Sequence, residues 1–383
     1  MILKILYIHN TQVDSAKANL IQVISMCNAF RENNISIDLA LPEPKKKISN
    51  INDFISIKFG ISVKFNVIFF KRYSKNRIIE KYFGIKSIEE IIKKSDADYV
   101  FTRLPKFIAL VLKHNKRLIF ESHNNKLHNK YKIIDWYWKR KILSKIKDDN
   151  FTTFISISQN LTNYWSEIGV PKNKQLSLHD GISKNFFKDI ISKQSSRKEL
   201  SISTEEKIVM YIGSLYPDRE IENILNAAKI TPELVFYIIG GPKEYSDYYK
   251  EMAMKMNLSN VKLLGHIPHV EVPKYLSTAD YLLGLWSKKV PTINYCSPLK
   301  VFEYMASGNI VIVHDFPTIR EVLIEGENAL FVNPNSKDSL GEVLKKAQNT
   351  DLAQLGMNSK KLVYENYTWG KRASLIIKHL DNL

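Results

Sequence analysis

Short apolar runs rich in β-forming residues alternate with segments of helical spacing along most of this chain. An apolar run at residues 3–8 is closed by polar residues from His9 onward, and apolar residues then recur at helical spacing over 20–30. The same order starts again at residues 208–212, where a second run leads into a turn at Gly213. Strand, loop and helix in this order form the repeating unit of a doubly wound parallel sheet. The pattern predicts an α/β chain with two such domains.

The length of the chain agrees with two domains. Its 383 residues exceed one domain of ordinary size, and 44% apolar residues are enough for two cores. A polar and charged stretch at residues 192–203 is the predicted linker between an N-terminal domain at 1–191 and a C-terminal domain at 204–365. Residues 366–383 are predicted to hold a final helix.

Residues 297–308 form the segment with the clearest local signals. Ser297 suits an N-cap, Pro298 suits the first helical position, and Gly308 is typical of the position beyond a helix C-terminus. An apolar run follows at once over residues 310–313. These signals predict one short helix with both ends marked, leading into a strand.

Lys300 is unusual at the start of this helix. A cation in the first turn opposes the helix macrodipole, and a capping box would place Glu or Gln there. We therefore expect an anion close to Lys300. Glu303 lies one turn further on, close to the same face as Lys300 and Leu299. A phosphate and a polyol, held by the helix N-terminus and by Glu303, would account for this set of residues.

Taken whole, residues 297–308 resemble the nucleotide-sugar signature of family 4 glycosyltransferases, in particular bacterial members that carry S-P-L-K-x-x-E-Y-M-A-x-G. That family has the GT-B fold, in which two Rossmann-like domains border a deep interdomain cleft. The resemblance implies that Glu303 holds the ribose of a nucleotide, while backbone amides of the preceding loop meet the sugar and the diphosphate. The family pattern has a second Glu eight residues before Glu303, where this sequence has Tyr295.

The resemblance extends to other predicted strand ends. His123 ends a predicted strand where the family has a His close to the donor phosphate and the reacting sugar carbon. The two cationic positions of the family pattern G-R-L-x-x-x-K, which grip the diphosphate, hold Ser214 and Arg219. The backbone at His266 and Ile267 corresponds to the segment that pairs with the nucleobase. The predicted catalytic residues are His123, Arg219 and Lys300, and the predicted donor-binding residues are Gly213, Ser214, Gly241, His266, Ile267, Tyr295, Ser297, Pro298, Leu299 and Glu303.

The resemblance also implies a reaction. It implies a retaining, metal-independent hexosyltransferase, with a nucleotide sugar of the UDP or GDP type as a substrate and no cofactor. Arg219, Lys300 and the nearby amides would stabilise the charge that develops on the leaving nucleoside diphosphate. The implied acceptor is a glycan or a lipid-linked glycan in bacterial surface polysaccharide biosynthesis. The helix within 366–383 resembles the family helix that crosses back to the N-terminal domain.

The charge of the chain is unevenly divided. The net charge is +17, and the first 200 residues carry +18 while the remaining 183 carry −1. A basic half is typical of proteins that meet an anionic membrane, nucleic acid or an anionic substrate. Residues 131–147 place Trp136, Tyr137 and Trp138 beside three consecutive cations, a composition that suits the surface of an anionic membrane. The apolar stripe of the same segment could instead cover the N-terminal sheet.

Three features predict a cytoplasmic protein, and the basic first half adds the hypothesis that it is peripheral at the inner face of the cytoplasmic membrane. The sequence has no run of about 18 uncharged apolar residues, and its N-terminus is too soon polar for a signal peptide. Its two cysteines, Cys27 and Cys296, lie far apart and lack metal-ligand spacing, which suits a reduced compartment.

Three alternatives remain open at this level. A non-catalytic GT-B relative that binds partners is suggested by Tyr295, by Ser214 and by the lack of a Gly pair in the first loop. A nucleic-acid-binding protein is suggested by the charge, although the basic half has no recognised nucleic-acid motif and we predict no nucleic-acid partner. An epimerase of GT-B fold would need carboxylates at the site, and the sequence does not place them.

Overall fold

The computed structural model describes residues 3–14, 18–71, 77–127, 131–297 and 299–383. The chain divides into two compact units. Unit 1 consists of Met1–Asp180 together with Trp369–Leu383, and unit 2 consists of Gly181–Thr368. Within the described residues, each unit is built on one parallel sheet with helices on both faces.

The sheet of unit 1 has seven described strands in the order β3-β2-β1-β4-β5-β6-β7. The change of direction between β1 and β4 marks the switch point of a doubly wound sheet. These strands are β1 (Lys4–Ile8), β2 (Ser36–Pro42), β3 (Asn66–Phe70), β4 (Tyr99–Thr102), β5 (Arg117–Ser122), β6 (Phe151–Ser156) and β7 (Gln175–Ser177). The helices of unit 1 are α1 (Ala18–Glu32), α2 (Ile51–Phe59), α3 (Arg77–Lys94), α4 (Pro105–Lys113), α5 (Lys132–Lys145), α6 (Gln159–Glu167) and α16 (Trp369–Asp381).

Unit 2 repeats the architecture with six described strands in the order β10-β9-β8-β11-β12-β13. They are β8 (Ile208–Ile212), β9 (Val235–Ile239), β10 (Val261–Gly265), β11 (Tyr281–Gly284), β12 (Ile310–His314) and β13 (Leu330–Val332). Its helices are α7 (Phe186–Asp189), α8 (Lys193–Glu199), α9 (Ile221–Ile230), α10 (Lys243–Lys255), α11 (Val272–Thr278), α12 (Leu299–Ser307), α13 (Pro317–Arg320), α14 (Ser339–Gln348) and α15 (Ala353–Asn366).

Burial on both sheet faces explains why the strands are continuous apolar runs. In β8, Ile208 and Met210 belong to one buried apolar cluster, while Val209 and Tyr211 belong to a second. Successive side chains of a strand point to opposite faces, so a strand between two helix layers must be apolar at every position. In unit 1, Tyr7 stacks on Phe101 with ring centroids 4.5 Å apart, and both rings are fully buried.

The structure departs from the predicted organisation at the linker. The predicted linker at 192–203 holds helix α8, whose Arg197 is buried and donates to the carbonyl of Thr278 at 2.9 Å, so the segment is packed into unit 2. Residues 43–98 contain α2, β3 and α3. Three helices follow β13, and the last belongs to unit 1 and packs against α1.

Helix α12 forms where the caps predicted it. Gly308 follows its last residue with φ of +80°, a left-handed conformation that suits glycine at a helix C-terminus. The cap proline, Pro298, lies outside the described residues. No helix among the described residues is both long enough and apolar enough to span a bilayer.

Close packing of α15 against the end of α12 gives a test of this arrangement. A Cβ at Gly356 would lie 2.1 Å from the carbonyl oxygen of Gly308, so Gly356→Ala must push the two backbones apart. We expect a loss of about 1–3 kcal/mol in the free energy of unfolding, measured by urea denaturation. The control is Gly370→Ala in α16, where an added Cβ meets nothing within 4 Å. The control should be neutral or stabilising by about 0.5–1 kcal/mol, and an equal loss in both variants would contradict the packing argument.

Candidate functional site

Three glycine-containing loops of unit 2 meet beyond the carboxyl ends of β8, β9 and β10. The amide of Gly213 donates to the carbonyl of Ile239 at 3.0 Å, and the amide of Gly240 donates to the carbonyl of Gly265 at 2.7 Å. Gly240 has φ of +150°, and a Cβ there would lie 1.6 Å from the carbonyl oxygen of Gly213. Only glycine allows the first two loops to approach this closely. The result is closely packed loop backbone at the edge where open parallel sheets bind ligands.

Tyr304 fixes α12 against the first of these loops. Its buried hydroxyl donates to the carbonyl of Ile212 at 2.8 Å and accepts from the amide of the same residue at 3.0 Å. Ile212 is the last residue of β8, and its backbone is left without a partner from β11, which pairs only with Val209 and Met210. The phenol therefore satisfies both groups and holds α12 beside Gly213.

Lys300 lies on the first turn of α12 between two aromatic rings. Its Nζ is 4.4 Å from the ring centroid of Tyr211 and 4.2 Å from that of Trp286. No carboxylate of the described residues lies within 4 Å of this nitrogen. Burial, and then the charge of Arg219, lower the pKa of Lys300 well below its ordinary value, whereas the two ring faces favour the charged form. The anion that the sequence predicted near Lys300 is not supplied by a carboxylate side chain of the described chain.

Arg219 lies in the short 3₁₀ helix Pro217–Arg219 that follows β8. Its Nε donates to the hydroxyl of Ser214 at 3.1 Å, and one terminal nitrogen lies 3.4 Å from a carboxylate oxygen of Asp218. Ser214 and Arg219, which occupy the two cationic positions of the family pattern, are therefore in contact. The serine hydroxyl orients the guanidinium of Arg219. This arrangement keeps one cation beside the Gly213 loop.

Glu303 is partly buried, with 19% of its side chain exposed, and it pairs with His269. The Nε2 of His269 lies 2.8 Å from Oε1 of Glu303, and this hydrogen bond raises the pKa of His269. His269 comes from the 3₁₀ helix His269–Glu271 after β10. The contact leaves the second carboxylate oxygen of Glu303 available for a ligand.

The other predicted residues of unit 2 have simpler environments. His266 is exposed and lies against Gly241, whose added Cβ would be 3.8 Å from the Cβ of His266. Ile267 packs against the core, Tyr295 and Ser297 lie in the loop before α12, and Leu299 is its first residue. Pro298, the remaining donor-binding prediction, is not among the described residues.

Sequence reasoning missed four residues that shape this site. Tyr211 and Trp286 enclose Lys300, and His269 holds Glu303. His314, at the end of β12, is buried with Nδ1 at 2.8 Å from the carbonyl of Trp286. Burial first, and also the charge of Lys300, lower the pKa of His314 to about 4, so the ring is neutral at physiological pH. The position of each residue at or just beyond a strand end was the signal that could have found it.

His123 lies in unit 1, directly after β5. Its Nε2 is 2.5 Å from Oε1 of Glu121, a carboxylate with no exposed surface. Its side chain is 27% exposed, so the imidazole lies at the surface end of a buried charged cluster. The remaining predicted site residues all belong to unit 2.

The part of the chain that holds this site is similar to a known protein family. Residues 192–362, just under half of the chain, match the family model described as "Glycosyl transferases group 1". The chain carries a group 1 glycosyltransferase domain. Its matched segment contains Gly213, Arg219, Lys300 and Glu303, the residues that line the site in unit 2.

Two curated relatives are similar to this chain beyond the group 1 domain. One is an uncharacterized glycosyltransferase of Methanocaldococcus jannaschii, 23% identical over 228 residues that cover 56% of each chain. Another is the chitobiosyldiphosphodolichol beta-mannosyltransferase of Candida albicans, 25% identical over 249 residues that cover 62% of this chain and 53% of the relative. The chain therefore spans between half and two thirds of the length of these relatives.

Solved structures show the fold of the whole chain. The structure of Anabaena HepE in complex with UDP and glucose has a TM-score of 0.74, with 14% identity and full coverage of both chains. Together with the two parallel sheets, this likeness confirms the predicted α/β architecture: two Rossmann-like domains of the GT-B fold.

Acidic residues in the described part of the chain do not gather into a metal site. No group of three or more His, Cys, Asp or Glu side chains that could hold a metal ion is found among the described residues. An Asp-x-Asp tripeptide at residues 96–98 precedes β4, at the opposite end of that strand from its carboxyl edge. There Asp96 pairs with the Nζ of Lys4 at 2.5 Å, and Asp98 accepts from the Lys4 amide at 2.8 Å.

The raised pKa of His269 predicts a pH dependence of stability. Glu303 stabilises the protonated ring of His269 in the folded state. The pair of side chains therefore contributes its full stability below the unfolded-state pKa of His269, about 6.5, and that contribution is lost as pH rises through the higher folded-state pKa. His269→Ala should therefore cost more unfolding free energy at about pH 5.5 than at about pH 8.5. Urea denaturation at both pH values measures the difference, with Glu303→Gln expected to remove it. A pH-independent cost would show that the pair is not formed in solution.

Proposed function

We propose that this protein is a retaining glycosyltransferase of the family 4 type. It moves a hexose from a nucleotide sugar of the UDP or GDP type to a glycan or lipid-linked glycan acceptor in bacterial surface polysaccharide biosynthesis. The observation that carries the proposal is Lys300, a cation held between two rings with no carboxylate partner in the described chain, beside Arg219 and the Gly213 loop. A diphosphate is the anion that fits this site.

The chemistry of a diphosphate matches each part of the site in unit 2. The guanidinium of Arg219 can bind two phosphate oxygens at once, and Lys300 adds a compact charge. The N-terminal end of α12 adds backbone amides and a positive dipole. Charge that develops on the departing nucleoside diphosphate would meet donors that are already in place. We include metal independence in the proposal because these two cations can supply the positive charge.

Glu303 suits the ribose. One of its carboxylate oxygens is engaged by His269, and the other can accept hydrogen bonds from vicinal hydroxyls. The backbone at His266 and Ile267 lies after β10, where it can pair with a nucleobase through main-chain groups. On this proposal the loop at Tyr295 and Ser297 faces the sugar.

His123 of unit 1 is proposed to lie by the transferred sugar. In a retaining reaction the acceptor hydroxyl attacks from the face of the leaving group. The protein groups near the reacting carbon then position and polarise the reacting groups. A partly exposed imidazole with one nitrogen engaged by the protein can do this through its other nitrogen.

The comparisons support the donor and acceptor classes. HepE was solved with UDP and glucose, which favours a nucleotide-sugar donor for a chain of the same fold. The Candida albicans relative is named as a mannosyltransferase that acts on a dolichol diphosphate-linked acceptor, which favours a lipid-linked acceptor here. Both properties belong to those proteins and enter here as support.

The acceptor side is proposed to contact an anionic membrane through unit 1. Unit 1 carries the whole net charge of +17, and unit 2 is neutral. Helix α5 exposes Ile133 (69%), Trp136 (52%) and Tyr137 (49%) at helical spacing on one face. Arg140 continues that face and stacks 5.0 Å from the ring of Trp136. The opposite face of α5 packs into the core, because its Ile142 is fully buried. A membrane surface on one face of α5 is therefore compatible with core packing on the other.

A thermal-shift panel tests the donor site. We expect one of UDP, GDP, ADP, CMP or their common sugars to stabilise the protein, by about 2.7 kcal/mol at a hundred times its dissociation constant. Glu303→Ala should reduce that shift, while the matched control Glu342→Ala, an exposed carboxylate on α14, should not. Stabilisation without sugar release or transfer to any acceptor would favour the non-catalytic alternative. No shift with any nucleotide would contradict the proposal.

Vesicle sedimentation tests the membrane surface. The full-length protein should bind vesicles of phosphatidylcholine with phosphatidylglycerol and release them as salt is raised. Arg140→Gln should weaken binding about fivefold, since each cation near an anionic surface contributes about 1 kcal/mol. Trp136→Ser should also weaken it. The controls are Lys346→Gln and Tyr248→Ser, exposed residues of unit 2. Equal binding to pure phosphatidylcholine, or equal effects of the controls, would contradict a surface on α5.

A further inference from the structure

A buried cluster of charged side chains lies behind His123 in unit 1. Its centre is Glu121, whose carboxylate has no exposed surface. Oε1 of Glu121 lies 2.5 Å from Nε2 of His123 and 2.7 Å from Nε of Arg103, and Oε2 lies 2.8 Å from a terminal nitrogen of Arg372. Three charged or titratable side chains therefore meet at one carboxylate.

The carboxylate is held from two distant parts of the sequence. Arg103 follows β4, and its guanidinium also donates to Gln22 of α1 at 3.1 Å. Arg372 belongs to α16 and is 3% exposed, and its Nε donates to the carbonyl of His179 at 2.9 Å. A carboxylate anchored at both oxygens by two buried guanidinium groups has little freedom to rotate.

The ionisation of Glu121 settles the direction of the hydrogen bond to His123. Burial raises the pKa of a carboxyl group, but the charges of Arg103 and Arg372, together with the hydrogen bond from His123, hold the pKa of Glu121 well below its ordinary value. An ionised carboxylate only accepts hydrogen bonds. Nε2 of His123 therefore carries a proton, and Nδ1 is the nitrogen that the cluster leaves unengaged.

Strand geometry supports the same contact. Glu121 and His123 are two residues apart at the end of β5, so they fall on one face of the extended backbone. The intervening Ser122 points the other way, where its hydroxyl accepts from the indole of Trp165 at 3.0 Å and donates to the carbonyl of Asn124 at 3.0 Å. The chain at His123 is thus fixed from both faces.

Stability alone is a weak reason for such a cluster. Buried ion pairs are often replaceable by apolar residues without loss, because desolvation offsets their attraction. What an apolar replacement could not do is orient an imidazole. Of the three side chains that contact Glu121, only His123 has substantial exposure: its side chain is 27% exposed, against 9% for Arg103 and 3% for Arg372.

We propose that Glu121 is a positioning residue for His123, and that Arg103 and Arg372 hold its carboxylate so that the neutral imidazole carries its proton on Nε2 and presents Nδ1 as an acceptor. The proposal rests on the proposed function only in assigning His123 to the transferred sugar. Because Arg372 lies on α16, this helix also helps to position His123.

Nitrogen NMR of the full-length protein, with labelled histidine side chains, tests the tautomer directly. His123 is assigned by the signal lost in His123→Gln. In the wild type, at a pH where the ring is neutral, we expect one tautomer with the proton on Nε2. A proton on Nδ1, or an equal mixture, would overturn the proposal without any mutation.

Variants test whether Glu121 and Arg372 determine the tautomer of His123. Glu121→Gln and Arg372→Met should give a mixture of tautomers, and Arg372→Lys should restore part of the Nε2–H population. The matched control is Lys378→Met, which removes one exposed cation from the same helix and should leave His123 unchanged. A single Nε2–H tautomer in folded Glu121→Gln would overturn the proposal. If Glu121→Gln fails to fold, the two Arg372 variants decide the question by the same measurement.

Kinetics separates positioning from a purely structural role. We expect kcat of Arg372→Met to fall roughly tenfold to a hundredfold, as for a displaced catalytic group, with the donor KM within about twofold of wild type. A fall in proportion to the unfolded fraction, with the tautomer unchanged, would overturn the proposal. Full activity of His123→Ala would remove His123 from the proposed function, whereas the tautomer measurement would still decide the role of Glu121.

Discussion

The hydroxyl of Tyr304 is the contact on which the site in unit 2 depends. It satisfies both backbone groups of Ile212 at the point where β11 no longer pairs with β8. Without it, a buried amide and a buried carbonyl would lack partners, and each such group costs about 1–3 kcal/mol. The same bonds set the distance between α12 and the Gly213 loop. Lys300 and Glu303, one turn apart on that helix, are placed by an interaction that involves neither of them.

The two units bury cations in opposite ways. In unit 1, Arg103 and Arg372 lie against two buried carboxylates, Glu121 in direct contact and Asp180 nearby, so their charges are balanced within the protein. In unit 2, Lys300 has two aromatic faces and no carboxylate of the described residues within 4 Å, and the nearby Arg219 adds charge of the same sign. A balanced buried cluster fixes geometry, whereas an unbalanced one favours the binding of an anion. The first arrangement suits the support of a side chain, and the second suits a ligand site.

The sequence predicted what local patterns encode and missed what depends on distant residues. Apolar runs gave the strands around 208–212 and 235–239, and Gly308 marked the end of α12, because these signals lie within a few residues of each other. The charge of Lys300 against the helix dipole predicted an anion nearby, and this stays a prediction. Its two rings were missed, because Tyr211 lies in β8 and Trp286 follows β11, both far from Lys300 in the sequence. Helix α8 was predicted as a linker because its surface is polar, while its buried Arg197 donates to the carbonyl of Thr278, far along the chain.

The net charge of unit 1 and the local charge around Lys300 in unit 2 indicate different ligands. Unit 1 carries all of the net charge, yet its most buried cations lie against the carboxylates of Glu121 and Asp180, so the excess resides in exposed lysines and arginines. Unit 2 is neutral overall, yet two basic side chains, Lys300 and Arg219, lie near each other at its site. Exposed charges are screened beyond about 10 Å at 0.1 M salt, whereas buried charges are screened much less. Moderate salt should therefore weaken contacts made by the surface of unit 1 more than it weakens anion binding at Lys300. The charge asymmetry of the sequence is thus evidence about an extended anionic partner, and the donor site has to be argued from the few side chains around α12.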